Sequence, residues 1–255
     1  MKKNCVTRIE IPNSRNETLV GLLHETGSKE VVVLCHGFSS NKNNTILKKT
    51  AVALEKEKIS SFRFDFSGNG DSEGEFHYGN FNSEADDDLH YVIQHLSNKM
   101  NRVVSVILGH SKGVWLISRD VLISRKGVRL GDNYLERIKE EGFIDAVENN
   151  SCFRVTQESL MDRLNTDMHE ACLKIDKDCK VLTVHGSDDK IVPVEDAKEF
   201  AKVIPNHKLE IVQGANHGYI KHQKPLVATV VEFIKTVILE QQLVSLSLGD
   251  CSSSS

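Results

Sequence analysis

Apolar residues follow two patterns along the chain, and the two patterns alternate. Nearly continuous apolar runs at residues 30–35 and 103–108 predict strands buried on both faces. Further strands are predicted at residues 59–66, 180–184 and 208–212. Apolar residues spaced three or four apart predict helices, and they occur at residues 44–58, 83–96, 195–204 and 225–239. Strands that alternate with helices in this way are typical of a mostly parallel sheet with helices on both faces.

Three segments depart from this alternation. Residues 6–11 and 19–24 alternate apolar with polar around a turn, which predicts an antiparallel hairpin at the sheet edge. Residues 132–175 show helical patterns at 134–141 and 157–173 with a short polar stretch between them, and we interpret them as a lid over the carboxyl edge of the sheet. Residues 241–255 predict a disordered tail, so that the folded domain is expected to be residues 1–240.

Composition and charge argue against several classes of function. The chain has 255 residues, of which 39% are hydrophobic and 27% charged, and its formal net charge of -4 comes without a basic stripe. A nucleic-acid partner is therefore not expected. The first residues lack the apolar core of a signal peptide, and no run reaches the roughly 20 apolar residues of a membrane span. We expect a cytoplasmic protein whose six cysteines are reduced thiols.

The strongest candidate for chemistry is Ser111. The strand predicted at 103–108 ends in Gly109-His110-Ser111-Lys112-Gly113, which has the pattern G-x-S-x-G. In this pattern the chain turns sharply from a strand into a helix and holds the serine hydroxyl exposed at the turn. Ser111 is therefore the candidate nucleophile, which needs a base, a group that orients the base and donors for an oxyanion.

A carboxylate and a histidine follow the last two predicted strands. Asp189 lies in the turn after 180–184, and His217 follows 208–212. Because the carboxyl ends of parallel strands meet at one edge of the sheet, we expect both to lie near Ser111. There His217 could take the proton of Ser111 while Asp189 fixes its tautomer. Asp188 is the alternative to Asp189.

Five motifs in order carry a resemblance to a known family. They are LCHGF, FRFDFSGNGDSEG, GHSKG, HGSDDKIVP and GANH. This set, which spans residues 9–241, resembles the α/β-hydrolases of the serine aminopeptidase and cinnamoyl-esterase type, a group that includes the monoglyceride lipases. The resemblance implies an α/β-hydrolase fold of about eight strands, a small helical lid and no cofactor.

The resemblance also implies roles for individual residues. The backbone N–H groups of Phe38 and Lys112 would form the oxyanion hole, and the glycine-rich loop that begins at Asp65 would brace the loops around the site. No metal site is predicted, because the acidic run Asp86, Asp87 and Asp88 has no partners at ligand spacing and is interpreted as the start of a helix. His110, beside the nucleophile, is interpreted not as a catalyst but as a packing group or as a group that contacts the catalytic residues.

The segment 114–130 is too short for the family pattern. It would have to contain a helix of about 11 residues, a sixth strand of about 5 residues and two loops. Either residues 114–120 form a shortened helix and residues 121–124 a remnant of the strand, or the strand is missing. In the second case Asp189 and His217 would move by about 4.8 Å relative to Ser111, or a gap would remain in the sheet, and the hydrogen bonds to Ser111 would be lost.

Three functional hypotheses follow. The first is a serine hydrolase that cleaves a carboxylic ester of a small or medium acyl group, with a small-molecule ester as substrate. The second is a catalytically impaired scaffold that binds a small ligand or partner, which the short segment favours. The third is a transferase or peptidase that uses the same three residues.

Overall fold

A computed structural model describes residues 5–79, 83–111, 130, 133–148, 151–165 and 168–250. Its main sheet has five strands in the order β1-β2-β4-β3-β5. Strands β1 and β2 form the hairpin predicted at the sheet edge, and β3 pairs in parallel with both β4 and β5. The five strands are β1 (Cys5–Pro12), β2 (Thr18–Glu25), β3 (Glu30–Cys35), β4 (Ser60–Phe64) and β5 (Val103–Gly109).

Two further strands form a separate parallel sheet. They are β8 (Val181–Gly186) and β9 (His207–Val212), and β8 is not hydrogen-bonded to β5. Within the described ranges no strand lies between the two sheets, and the predicted helix and sixth strand of segment 114–130 fall outside those ranges except for Leu130. Among the described strands, β5 pairs with β3 alone. The residues of β5, which were expected to be buried on both faces, are exposed or half-buried.

Helices lie on both sides of the sheets, as the alternation predicts. The largest apolar cluster against the main sheet packs Val31 and Val33 of β3 with Val92 and Leu96 of the second helix. The helices are α1 (Thr45–Lys56), α2 (π-helical Ser83–Leu89, α-helical His90–Gln94 and π-helical His95–Lys99), α3 (Tyr134–Glu141), α4 (Gln157–Asn165), α5 (Met168–Leu173), α6 (Val194–Val203) and α7 (Gln223–Asp250).

Helix α7 packs against both sheets at once. On one side, Ile234 and Ile238 lie in an apolar cluster with Leu34 of β3 and Leu54 of α1. On the other, Leu226 contacts a cluster that includes residues of the loop after β9. Side-chain packing on α7 therefore contributes to holding the second sheet, and burial of this kind contributes about 1.5–3 kcal/mol for each large aliphatic side chain.

The same helix changes the predicted end of the domain. Helix α7 continues to Asp250, so the boundary at residue 240 falls inside it and most of the segment expected to be a disordered tail is helical. Only residues 251–255 of that segment lie outside the description. In the described part of the chain, none of the helices has the length and apolar character needed to cross a bilayer.

The segment interpreted as a lid, residues 132–175, contains a β-hairpin that the sequence analysis did not predict. Between α3 and α4, strands β6 (Phe143–Glu148) and β7 (Ser151–Thr156) pair antiparallel, where a short polar stretch was predicted. The hairpin buries Ile144 and Val155 against Tyr78, with Phe38 packed on the same cluster. The two predicted helical segments are present as α3 and as α4 and α5.

The glycine-rich loop after β4 is organised by a buried ion pair. Asp65 is fully buried, accepts a hydrogen bond from the Asp71 N–H at 2.9 Å and pairs with the ammonium group of Lys42, which is itself only 2% exposed. Ser72 donates to the Asp65 carbonyl oxygen at 2.7 Å and accepts from the Val20 N–H at 2.8 Å. These contacts brace the loop against β2, in line with the structural role expected for it.

Replacing Asp65 by alanine is expected to lower the free energy of unfolding by about 3–5 kcal/mol, because it leaves the buried Lys42 ammonium without its buried partner. Asp71 provides the matched control, since it binds the same ammonium at 2.6 Å but has a side chain that is 62% exposed. Asp71→Ala should cost less than about 1 kcal/mol. Urea unfolding followed by circular dichroism would measure both, and equal costs would contradict the assignment.

Candidate active site

Ser111 stands at a strained turn directly after β5. Its φ angle is 55°, in the left-handed region that few residues other than glycine adopt. Gly37, in the loop after β3, approaches this turn so closely that an added Cβ would lie 2.9 Å from the carbonyl oxygen of His110 and 3.0 Å from the Ser111 Cβ. Glycine is therefore required at position 37, and the two loops form one surface around the serine.

The structure brings Ser111, His217 and Asp189 together. His217 Nε2 lies 2.8 Å from Ser111 Oγ, and His217 Nδ1 lies 2.8 Å from Asp189 Oδ2. The expected loss of these hydrogen bonds depends on a missing sixth strand and stays a prediction, because residues 112–129 lie outside the described part of the chain. Helix α7, which packs in apolar clusters with elements of both sheets, contributes to placing the three groups.

Asp189 is fixed by the turn in which it lies. Its Oδ1 accepts hydrogen bonds from the backbone N–H groups of Ile191 at 2.8 Å and Val192 at 2.9 Å. Burial by itself would raise the pKa of Asp189, but the hydrogen bonds from His217 and from these two amides outweigh it and lower the pKa. The carboxylate thus stays ionised and acts only as an acceptor, so that His217 carries its proton on Nδ1 and presents Nε2 as an acceptor to Ser111.

The loops that carry Asp189 and His217 are bonded to each other. The Asp188 N–H donates to the Ala215 carbonyl oxygen at 3.0 Å, and the Gly214 N–H donates to Ser187 Oγ at 2.8 Å. The Asp188 carboxylate accepts from the Ser187 hydroxyl at 3.0 Å, and so it is Asp189 that faces the imidazole. The two loops therefore position the carboxylate and the imidazole as a unit.

Two further side chains support this unit without having been singled out from the sequence. Tyr219 donates from its hydroxyl to the Val184 carbonyl oxygen of β8 at 2.7 Å, and burial raises its pKa. His185 Nε2 lies 3.0 Å from the carbonyl oxygen of Val192 and 3.6 Å from Asp189 Oδ2. No spacing pattern in the sequence identifies Tyr219. His185 lies four residues before Asp189 and is the first residue of the motif HGSDDKIVP.

His110 also contacts the catalytic candidates. Its Nε2 lies 3.4 Å from the backbone oxygen of His217, and the two ring centroids are 5.8 Å apart. Burial, with a smaller effect from His217, lowers the pKa of His110 to about 4, so that this imidazole is neutral near pH 7. Of the two roles predicted for His110, the contact with His217 fits that of a group that touches the catalytic residues.

Of the two predicted donors of the oxyanion hole, Phe38 lies among the described residues. Phe38 follows Gly37 at the serine turn, and its ring makes edge contacts with Phe76, Tyr78 and Phe153 at centroid distances of 5.3, 5.5 and 5.4 Å. Phe38 therefore connects the loop at the serine turn with an aromatic cluster that includes Phe153 of β7. Lys112, the other predicted donor, lies outside the described residues. In the described ranges no group of three histidine, cysteine or acidic side chains is placed to hold a metal ion.

The arrangement has the parts needed for nucleophilic attack on a carbonyl carbon. Ser111 supplies the nucleophilic oxygen, His217 can accept its proton, and Asp189 can stabilise the imidazolium that results. These roles need no group beyond the three side chains and donors for the oxyanion.

A family model and a curated relative match parts of the chain. The model of the serine aminopeptidase family S33 matches residues 26–125, a stretch that holds Gly37, Phe38 and Ser111 and ends before Asp189 and His217. A non-heme chloroperoxidase, CPO-A1 of Kitasatospora aureofaciens, is 39% identical over 54 residues, which are 21% of this chain and 19% of that relative. The chain thus matches about a fifth of the length of this curated relative.

Solved structures match over most of the chain. Est1E from Butyrivibrio proteoclasticus, solved with bound ferulic acid, has a TM-score of 0.73 and 18% identity over 91% of this chain and 99% of its own. The mouse α/β-hydrolase domain-containing protein 10 has a TM-score of 0.71 and 18% identity over 91% and 99%. An esterase from Pyrococcus furiosus, PF2001, has a TM-score of 0.68 and 20% identity over 91% of both chains. At these identities the shared feature is the fold.

Proposed function

We propose that this chain, which has the α/β-hydrolase fold, is a serine hydrolase that cleaves a carboxylic ester of a small or medium acyl group. The observation that carries the proposal is the chain of hydrogen bonds from Ser111 through His217 to Asp189, with both distances at 2.8 Å. The S33 family match and the esterases among the structural relatives support the same class of reaction.

The proposed reaction has two halves. Ser111 Oγ bonds to the ester carbonyl carbon while its proton moves to His217 Nε2, and the tetrahedral oxyanion accepts hydrogen bonds from the N–H groups of Phe38 and Lys112. The bond to the alcohol oxygen then breaks, His217 gives that oxygen its proton, and an acyl-enzyme remains. Water, deprotonated by His217, releases the acid and restores Ser111.

A ligand-binding scaffold is the second candidate, and the separation of β5 from β8 in the described part of the chain favours it. The two candidates differ in whether Ser111 is activated. Activation is what a fluorophosphonate reports, because the reagent forms a covalent bond only with a nucleophilic serine. A peptidase or transferase would also react with it, and turnover of matched ester, amide and thioester substrates would separate those activities from the esterase.

The test is to incubate the purified chain with a fluorophosphonate and follow the intact mass. We expect a single adduct, mapped by peptide sequencing to Ser111, that does not form in Ser111→Ala. Ser105→Ala is the matched control, because Ser105 lies on β5 and its hydroxyl bonds to Glu30, away from His217. A folded wild-type chain that forms no adduct would contradict the proposal and favour the scaffold.

A further inference from the structure

The catalytic candidates are divided between the two described sheets. Ser111 follows β5 of the main sheet, whereas Asp189 and His217 follow β8 and β9 of the second sheet. The hydrogen bond between Ser111 and His217 therefore joins two bodies, the main sheet and the second sheet. A displacement of about 1 Å of one against the other would break this bond of 2.8 Å.

A second contact joins the two bodies at the site itself. His110, the neighbour of Ser111, lies with Nε2 3.4 Å from the carbonyl oxygen of His217. The carbonyl can only accept, so His110 is the donor. His110 is in turn anchored to the main sheet, because its backbone N–H donates to the carbonyl oxygen of Cys35 at 3.1 Å. A continuous path of hydrogen bonds thus runs from β3 through His110 to the backbone of His217.

We propose that His110 is a positioning residue, which donates its Nε2–H to the backbone oxygen of His217 and thereby holds that imidazole at the hydroxyl of Ser111. This inference rests on the proposed hydrolase function. It assigns the two anchors of His217 to different sheets: Asp189 holds the ring from the second sheet, and His110 holds the backbone from the main sheet.

The neutral state of His110 suits this role. When His217 takes the proton of Ser111 it becomes a cation, and a second cation with its ring centroid 5.8 Å away would oppose that step. Because His110 is neutral near pH 7, it can donate one hydrogen bond to His217 without adding charge beside the imidazolium.

Two variants separate the hydrogen bond from the space that the ring fills. His110→Phe keeps an aromatic ring and removes the donor, whereas His110→Gln keeps an N–H donor at a similar distance from the backbone. We expect kcat for an ester substrate to fall about tenfold in His110→Phe, as is typical for the loss of one hydrogen bond, with KM changed less than about twofold. His110→Gln should recover kcat to within about threefold of the wild type.

Labelling by the fluorophosphonate gives a second readout on the same proteins. It should slow in His110→Phe by the same factor as kcat and recover in His110→Gln, with circular dichroism spectra unchanged. Equal labelling rates in His110→Phe and the wild type would overturn the role of His110 but not the proposed hydrolase function. The same conclusion would follow if His110→Gln were labelled no faster than His110→Phe. A wild-type chain that is not labelled would instead overturn the proposed function.

Discussion

Replacing Ser111 by alanine is expected to lower kcat for ester hydrolysis by at least about 10⁴-fold, because no other group can form the acyl-enzyme. The methyl group of alanine fits where the hydroxyl lies, and the left-handed backbone at this position is retained, since alanine carries a Cβ as serine does. Stability and KM should therefore change little, and steady-state kinetics beside thermal unfolding would show the separation.

The double variant Ser111→Ala with His217→Ala sharpens this prediction. If the two side chains act as a unit, removing the imidazole after the hydroxyl is gone should cost almost nothing further in kcat. Additive losses from the two single changes would contradict a shared role. A single change at Ser111 that left kcat within tenfold of the wild type would contradict the nucleophile assignment itself.

The fold could be predicted from the sequence because its elements carry local signals. The run Glu30–Cys35 has no alternation and forms a strand buried on both faces, while the spacing of Ile46, Leu47, Ala51 and Leu54 turns one apolar face of α1 toward the sheet. The three site residues could also be predicted, since each lies in the loop or turn after a predicted strand. In a parallel sheet such positions meet at one edge whatever the loops between them contain.

What the sequence could not show depends on contacts between distant residues. The hairpin of β6 and β7 does alternate, with Ile144 and Ala146 buried and Asp145 and Val147 exposed, but apolar residues on its outer face obscure the pattern. The hydrogen bond from His110 to His217 joins residues more than one hundred positions apart, and no spacing rule describes it.

The position of Asp189 and His217 relative to Ser111 has the same origin. Counting residues in segment 114–130 leaves a shortened or a missing strand open, and only Leu130 of that segment is among the described residues. Such a count considers strand pairing alone as the force that places β8. Helix α7 carries apolar residues toward both sheets, and Lys235 on it pairs with Glu57 after α1 at 3.0 Å. Packing of a helix across two sheets is a tertiary property, and the count of residues in one loop does not contain it.

The second large expected effect on kcat comes from changing the orientation of the His217 imidazole. Asp189→Asn is expected to lower kcat by about 10⁴-fold, the size of loss that follows when a catalytic imidazole is held in the wrong tautomer. The amide oxygen of the new asparagine has to replace Oδ1, because two backbone N–H groups point at that position from 2.8 and 2.9 Å. Its NH₂ group then faces His217 Nδ1, which must become the acceptor and leave the proton on Nε2.

In that tautomer His217 donates to Ser111 and cannot take its proton, so the loss falls on kcat while KM changes little. Asp188→Asn is the matched control, since it makes the same chemical change one residue away on a side chain that bonds to Ser187 and not to the imidazole. We expect Asp188→Asn to retain kcat within about twofold, as for a polar change outside the reacting groups. The reverse result, with activity lost in Asp188→Asn and kept in Asp189→Asn, would transfer the orienting role to Asp188 and contradict the geometry of the site.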